Sequence, residues 1–85
     1  MGRLRLVPRA RIKHDTVRGI DVLLVPESVL ELNVEGGEVV RLCDGTRTSD
    51  DIVRAMAARH ESPSVADDVR AFLRRLGDRG LLEEV

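Results

Sequence analysis

Aromatic residues are almost missing from this chain: Phe72 stands alone, with no Trp and no Tyr among 85 residues. A core without rings is filled by Leu, Val, Ile and Ala, which places the domain near the lower limit of what a single core can stabilise. That modest core leaves room for a homodimer. Cysteine is scarce too. Cys43 alone excludes an intramolecular disulfide and fits a reducing compartment. No apolar run approaches the ~20 residues of a membrane span. Residues 1–8 lack the apolar centre of a signal peptide, so the sequence reads as that of a cytoplasmic protein with no membrane partner. An excess of one charge is absent as well: 14 basic residues face 15 acidic ones, for a net charge of −1. The general attraction that drives nucleic-acid binding is therefore missing, and no nucleic-acid partner is expected. What is present is 42% hydrophobic and 34% charged residues, the composition of one globular domain over residues 1–85.

Residues 1–9 carry three arginines and Pro8 and read as an extended or mobile lead-in. Residues 11–15, RIKHD, alternate polar and apolar as a half-buried strand does. A turn ending at Gly19 leads to a second strand over residues 20–25, apolar apart from Asp21. Pro26-Glu27-Ser28 turns the chain into a third strand, Val29, Leu30, Glu31 and Leu32. In such an antiparallel meander the first and third strands are edges. From Asn33 the period becomes helical. Asn33 is a good N-cap, Val39, Leu42 and Cys43 share a face, and Gly45 is placed to end the helix. Gly36 and Gly37 cost about 1 kcal/mol each inside a helix, so either the first turn is irregular or another backbone packs against it. Thr48-Ser49-Asp50-Asp51 resembles a capping box opening a second helix with Ile52, Val53, Met56, Ala57 and His60 on one face. Ser62-Pro63-Ser64 breaks the chain. A third helix shows Val65, Val69, Phe72, Leu73 and Leu76 as a clean apolar stripe, ended by Gly80, after which Leu81 and Leu82 pack back. The result is an α+β fold, a three-stranded antiparallel meander followed by three helices, like a winged helix-turn-helix.

Little here could perform catalysis. Cys43 lies on an apolar helix face with no sequence-local His to activate it, and reads as packing. His14 and His60 are isolated from other ligand types, so no metal site and no cofactor are expected. Asp50-Asp51, Asp67-Asp68 and Glu83-Glu84 are adjacent in sequence and point apart on a helix; the first two pairs suit helix starts. The glycines form no phosphate-binding pattern. The chain is not expected to be an enzyme. Arg70, Arg74, Arg75 and Arg79 stand out, with Arg70 and Arg74 bordering the third helix's apolar stripe; the set is either a solvated surface or a rim reading acidic groups on a peptide. A winged-helix DNA binder would concentrate base-reading residues on a recognition helix, and the second helix, with Asp50, Asp51 and only Arg54 and Arg59 as bases, suits that poorly.

One combination is more specific than its parts: the V-R-G turn at 17–19, VLLVPESVLELN at 22–33, LCDGTRTSDDIV at 42–53, AARH at 57–60 and DVRAFLRRLGDRGLL at 68–82. Over nearly the whole chain it resembles the PqqD family, departing at Val34-Glu35-Gly36-Gly37, where such sequences carry more helix-friendly residues. The resemblance implies a peptide chaperone in pyrroloquinoline quinone biosynthesis that binds the ribosomal precursor peptide PqqA. It would present that peptide to PqqE, a radical S-adenosylmethionine enzyme. The same domain type serves lasso-peptide and mycofactocin pathways, which is the alternative reading. The implied binding mode adds the peptide as a strand beside Val29, Leu30, Glu31 and Leu32, covered by Val69, Arg70, Leu73 and Arg74 of the third helix.

Overall fold

Turn chemistry and period-two patterning build the first sheet of the computed structural model, which describes residues 2–85. The elements, in chain order, are β1 (Leu4–Leu6), β2 (Arg11–Asp15), β3 (Ile20–Val25), β4 (Ser28–Leu32), α1 (Val34–Leu42), β5 (Asp44–Arg47), α2 (Ser49–Arg59), α3 (Val65–Asp78) and β6 (Leu82–Glu84). The expected meander is present as an antiparallel sheet ordered β2-β3-β4, with β2 and β4 as its edges.

A second sheet, ordered β5-β1-β6, was not expected. Two corrections follow from it. Residues 2–9 are no lead-in, because β1 is the middle strand of this sheet, pairing Leu4 with both Arg47 and Glu84. Met1 lies outside the described residues. Leu4 and Leu6 alternate with Arg3 and Arg5 and pack against the core, while Arg5 pairs with Glu83 at 2.7 Å. Gly45, in turn, does not end the first helix. That helix stops at Leu42, with Cys43 as its C-cap. Gly45 sits in β5 at φ 88, where the β1–β5 register shifts between Leu4 and Arg5. A bulge of this kind needs a residue that tolerates positive φ.

Local signals set the helix starts. The Asn33 side chain accepts a hydrogen bond from the Gly36 N–H at 2.7 Å. Both arms of the Thr48/Asp51 capping box form, at 3.2 and 3.0 Å. The first turn of α1 is regular despite its two glycines, and the reason is space. A Cβ on Gly37 would be driven into the Asp21 carboxylate of β3. Asp21 there receives both arms of the Arg41 guanidinium, at 2.5 and 3.0 Å, and meets His14 Nδ1 at 2.9 Å. A Cβ on Gly36 would crowd the Asn33 Oδ1 that caps the helix, at 2.9 Å, while the Phe72 ring stands at an ordinary 3.6 Å.

Two clusters make the core. One joins the helices through Val39, Ile52, Met56, Val69 and Leu73. The other seats Leu76 of α3 and Val40 of α1 on Leu23 and Leu32 of the first sheet, closed by Ala10 and Leu81. Phe72 packs against both. Of the face predicted for α2, Ile52, Val53 and Met56 are buried but Ala57 is exposed. Among the described residues, no helix is long and apolar enough to cross a membrane.

Candidate functional site

The unpaired edge of β4 is the starting point, and two hairpins fix which of its backbone groups are free. A two-residue loop, Pro26-Glu27, makes Val25 and Ser28 the closing pair of β3–β4. At the other end of β3, Asp15 and Ile20 close the β2–β3 hairpin, with Gly19 at φ 69 in the loop donating to the Asp15 carbonyl at 2.7 Å. Backbone groups alternate sides along an antiparallel strand. Both hairpins therefore agree that Ser28, Leu30 and Leu32 bond inward to β3. The N–H and C=O groups of Val29 and Glu31 point outward along the free edge.

Side chains alternate the other way. Leu30 stands opposite fully buried Leu23 and faces the helices, as does Leu32. Val29, 58% exposed, and Glu31 lie on the outer face of the sheet. There Glu31 pairs with Arg18 at 2.8 Å. No proline, bulge or inward-pointing charge blunts this edge, although strand edges are usually protected by one of these devices.

Beside the end of β4, α1 and α3 enclose a cleft of about 430 Å³. Asn33, Gly36 and Val39 form one wall, and Val65, Asp68, Val69, Phe72 and Arg75 of α3 the other, with His60 at one end. His60 Nε2 lies 3.1 Å from the Glu38 carboxylate, which also takes a hydrogen bond from Arg59 at 3.2 Å. Phe72, packed against both core clusters, floors this cleft.

The eight residues singled out in the sequence divide between two surfaces. Val29, Leu30, Glu31 and Leu32 lie on β4 as expected, and Val69 faces the cleft from α3. Arg70, Leu73 and Arg74 do not stand beside β4. With Gly77 they line a separate cleft of about 410 Å³ against Leu4, Ser49 and the β6 residues Leu82, Glu83 and Glu84. One residue advances 100° around a helix, so Arg70 and Arg74 both fall nearly opposite Phe72. Periodicity located the stripe of α3 but not which of its flanks meets the sheet. Phe72 and Arg75, which were not placed beside β4, line the cleft there.

Nucleophilic chemistry has little support. Burial, and to a lesser degree the neighbouring Asp44 charge, pushes the Cys43 thiol up to about 12. Its Sγ donates to the Val39 carbonyl at 3.3 Å. Hydrogen bonds from Arg41 and then His14 hold the Asp21 carboxyl well below the usual carboxylate range. Among the described residues there is no group of three or more His, Cys, Asp or Glu able to hold a metal ion. The arrangement is suited to pairing with an extended chain.

Comparison with known proteins agrees with this geometry. Residues 22–82 match the family model described as coenzyme PQQ synthesis protein D (PqqD). The PqqA binding protein of Bradyrhizobium diazoefficiens is 38% identical over 82 residues, covering 93% of this chain and 80% of that protein. That of Pseudomonas aeruginosa is 38% identical over 64 residues, covering 74% and 70%. The PqqD truncation of Methylobacterium extorquens PqqCD, a stand-alone recognition element for ribosomally synthesised and modified peptides, is similar in structure. Its TM-score is 0.76 at 28% identity, over 95% of this chain and 88% of that one. TbiB1, solved in complex with the TbiA(β) leader peptide, gives a TM-score of 0.75 at 26% identity over 93% and 94%. The chain belongs to the PqqD family.

Proposed function

We propose that this protein is a non-catalytic, cytoplasmic carrier that binds the precursor peptide PqqA and presents it to a PqqE-type radical S-adenosylmethionine enzyme. The peptide adds to β4 as a further strand. The observation that carries this reading is the free β4 edge, with the backbone groups of Val29 and Glu31 turned outward next to the cleft under α3. The names of the relatives and the peptide bound to TbiB1 support it. Strand addition draws affinity from main-chain hydrogen bonds and selectivity from alternate side chains. Here one set of peptide side chains meets Leu30, Leu32, Val69 and Phe72, while the other lies over Val29 and Glu31. Arg70, Leu73 and Arg74 are assigned no contact with the peptide, since they lie on the far flank of α3.

Amide hydrogen exchange tests this directly. In the free protein the Val29 and Glu31 amides should exchange quickly, and saturating PqqA should protect both. Tight PqqA binding that leaves those two amides unprotected would refute the added-strand mode; absence of PqqA binding would refute the PqqA assignment. The TbiB1 complex supports a second reading, a leader peptide of another modified-peptide pathway. Competition between PqqA and such leader peptides for one site decides between the two.

A further inference from the structure

We propose that Arg75 is a specificity-determining residue that reads a carboxylate on the bound peptide, two positions from the apolar side chain seated on Phe72. This inference rests on the peptide-carrier reading above.

Three observations carry it. Arg75 lines the cleft beside β4, and its guanidinium carbon lies 5.7 Å from the centroid of the Phe72 ring. The contact holds the charge over the cleft by cation–π attraction while leaving its N–H fork free. Six other arginines have carboxylate partners: Arg5, Arg18, Arg41, Arg47, Arg54 and Arg59. Arg75 has none among the described residues, and Asp78, three residues further along α3, does not pair with it. The cleft also carries charges of both signs: Glu35 and Asp68 line it, and Arg75 lies two helical turns along α3 from Asp68.

The spacing fits a strand. Same-face side chains of an extended peptide recur every ~7 Å. Phe72 and Arg75 are separated by ~4.5 Å along the helix axis, and the long arginine side chain covers the difference. For a strand laid along the α3 axis, a peptide residue packed on Phe72 places its second neighbour at the guanidinium. A carboxylate moved along α3 toward Asp68 meets repulsion instead, so the pair of contacts sets the register of the added strand. Backbone pairing alone would tolerate a slip.

The test uses fluorescein-labelled PqqA and variants of it in which each Glu or Asp is replaced singly by Gln or Asn. Affinity is measured by anisotropy against the wild-type protein, Arg75→Gln and, as a control of equal charge change on the other flank of α3, Arg70→Gln. One peptide substitution should weaken binding to the wild-type protein about tenfold, as expected for losing a charge-assisted hydrogen bond. The same substitution should cost nothing further against Arg75→Gln, and Arg70→Gln should bind like wild type. Lysine at that peptide position should restore affinity for Arg75→Glu. If PqqA binds and protects Val29 and Glu31 yet Arg75→Gln matches wild type for every peptide, the assignment of Arg75 is overturned and the carrier reading stands. If PqqA does not bind at all, both fall.

Discussion

Proline at position 31 gives the most direct test of the β4 edge. The register turns the Glu31 N–H outward, so Glu31→Pro removes no hydrogen bond to β3. It also breaks the Arg18–Glu31 ion pair, whose side chains are 48% and 63% exposed, at a cost of at most about 1 kcal/mol. The fold should survive, with a urea midpoint close to that of Glu31→Ala, which isolates the ion pair from the N–H. Peptide binding should not survive well. The variant lacks one main-chain donor, contributing about 0.5–1.5 kcal/mol, and its ring occupies the space the partner carbonyl needs. We expect a loss of about 1–3 kcal/mol, or roughly 5- to 150-fold in Kd. Leu30→Pro is the counterpart. The Leu30 N–H bonds inward opposite Leu23, so proline there costs about 3 kcal/mol or more. That is a large share of the about 4–13 kcal/mol expected for a chain of 85 residues. Anisotropy titration and urea unfolding of the three variants would show it. Unfolding of Glu31→Pro beside a stable Leu30→Pro would refute the orientation of the edge, and unchanged peptide affinity in a folded Glu31→Pro would refute strand addition.

Other outcomes follow from the packing. Gly37→Ala should destabilise by about 1–3 kcal/mol in urea unfolding, although alanine is the better helix former, because its methyl displaces the Asp21 carboxylate from Arg41 and His14. Asp21 has a folded-state pKa below its unfolded value, so its contribution is complete above the ordinary carboxylate range and is lost as pH falls below about 4. Asp21→Asn should therefore lower the urea midpoint at neutral pH and lessen its dependence on acid. Native Cys43 should react slowly with a thiol reagent, and Cys43→Ala should lose about 1 kcal/mol of stability while keeping peptide affinity. Thr48→Ala should lower the unfolding midpoint by an amount near 1 kcal/mol through loss of the capping box.

How much of this was legible depends on the range of each signal. Asn33, the Thr48/Asp51 box and the meander were readable because each rests on residues a few positions apart. So was the α3 stripe. The second sheet was not, since Leu4-Arg5-Leu6 is too short to distinguish from an extended tail and its partners lie near Arg47 and at the chain's far end. Gly37 looked like a helix defect because the Asp21 carboxylate that occupies its space comes from a distant segment. The free β4 edge could be read from turn chemistry. On α3, Val69 lines the cleft beside β4 but Arg70, Leu73 and Arg74 line the other one, because apolar periodicity says which side of the helix is buried without saying what lies to either hand of it.

The pairing of β1 with β6 bears on how the chain emerges from the ribosome. Leu4 pairs with Glu84, and Arg3 exchanges main-chain hydrogen bonds with Val85 at 2.8 and 3.2 Å. That ladder cannot form until residues 82–85 have been synthesised, whereas the β2-β3-β4 meander needs only contacts close in sequence. The nascent chain thus displays its unprotected β4 edge before the body of the domain has closed, an interval in which edges invite non-native pairing. Early encounter with a partner strand would cover it, so co-expression with the cognate peptide should raise the soluble yield of this protein more than that of Glu31→Pro.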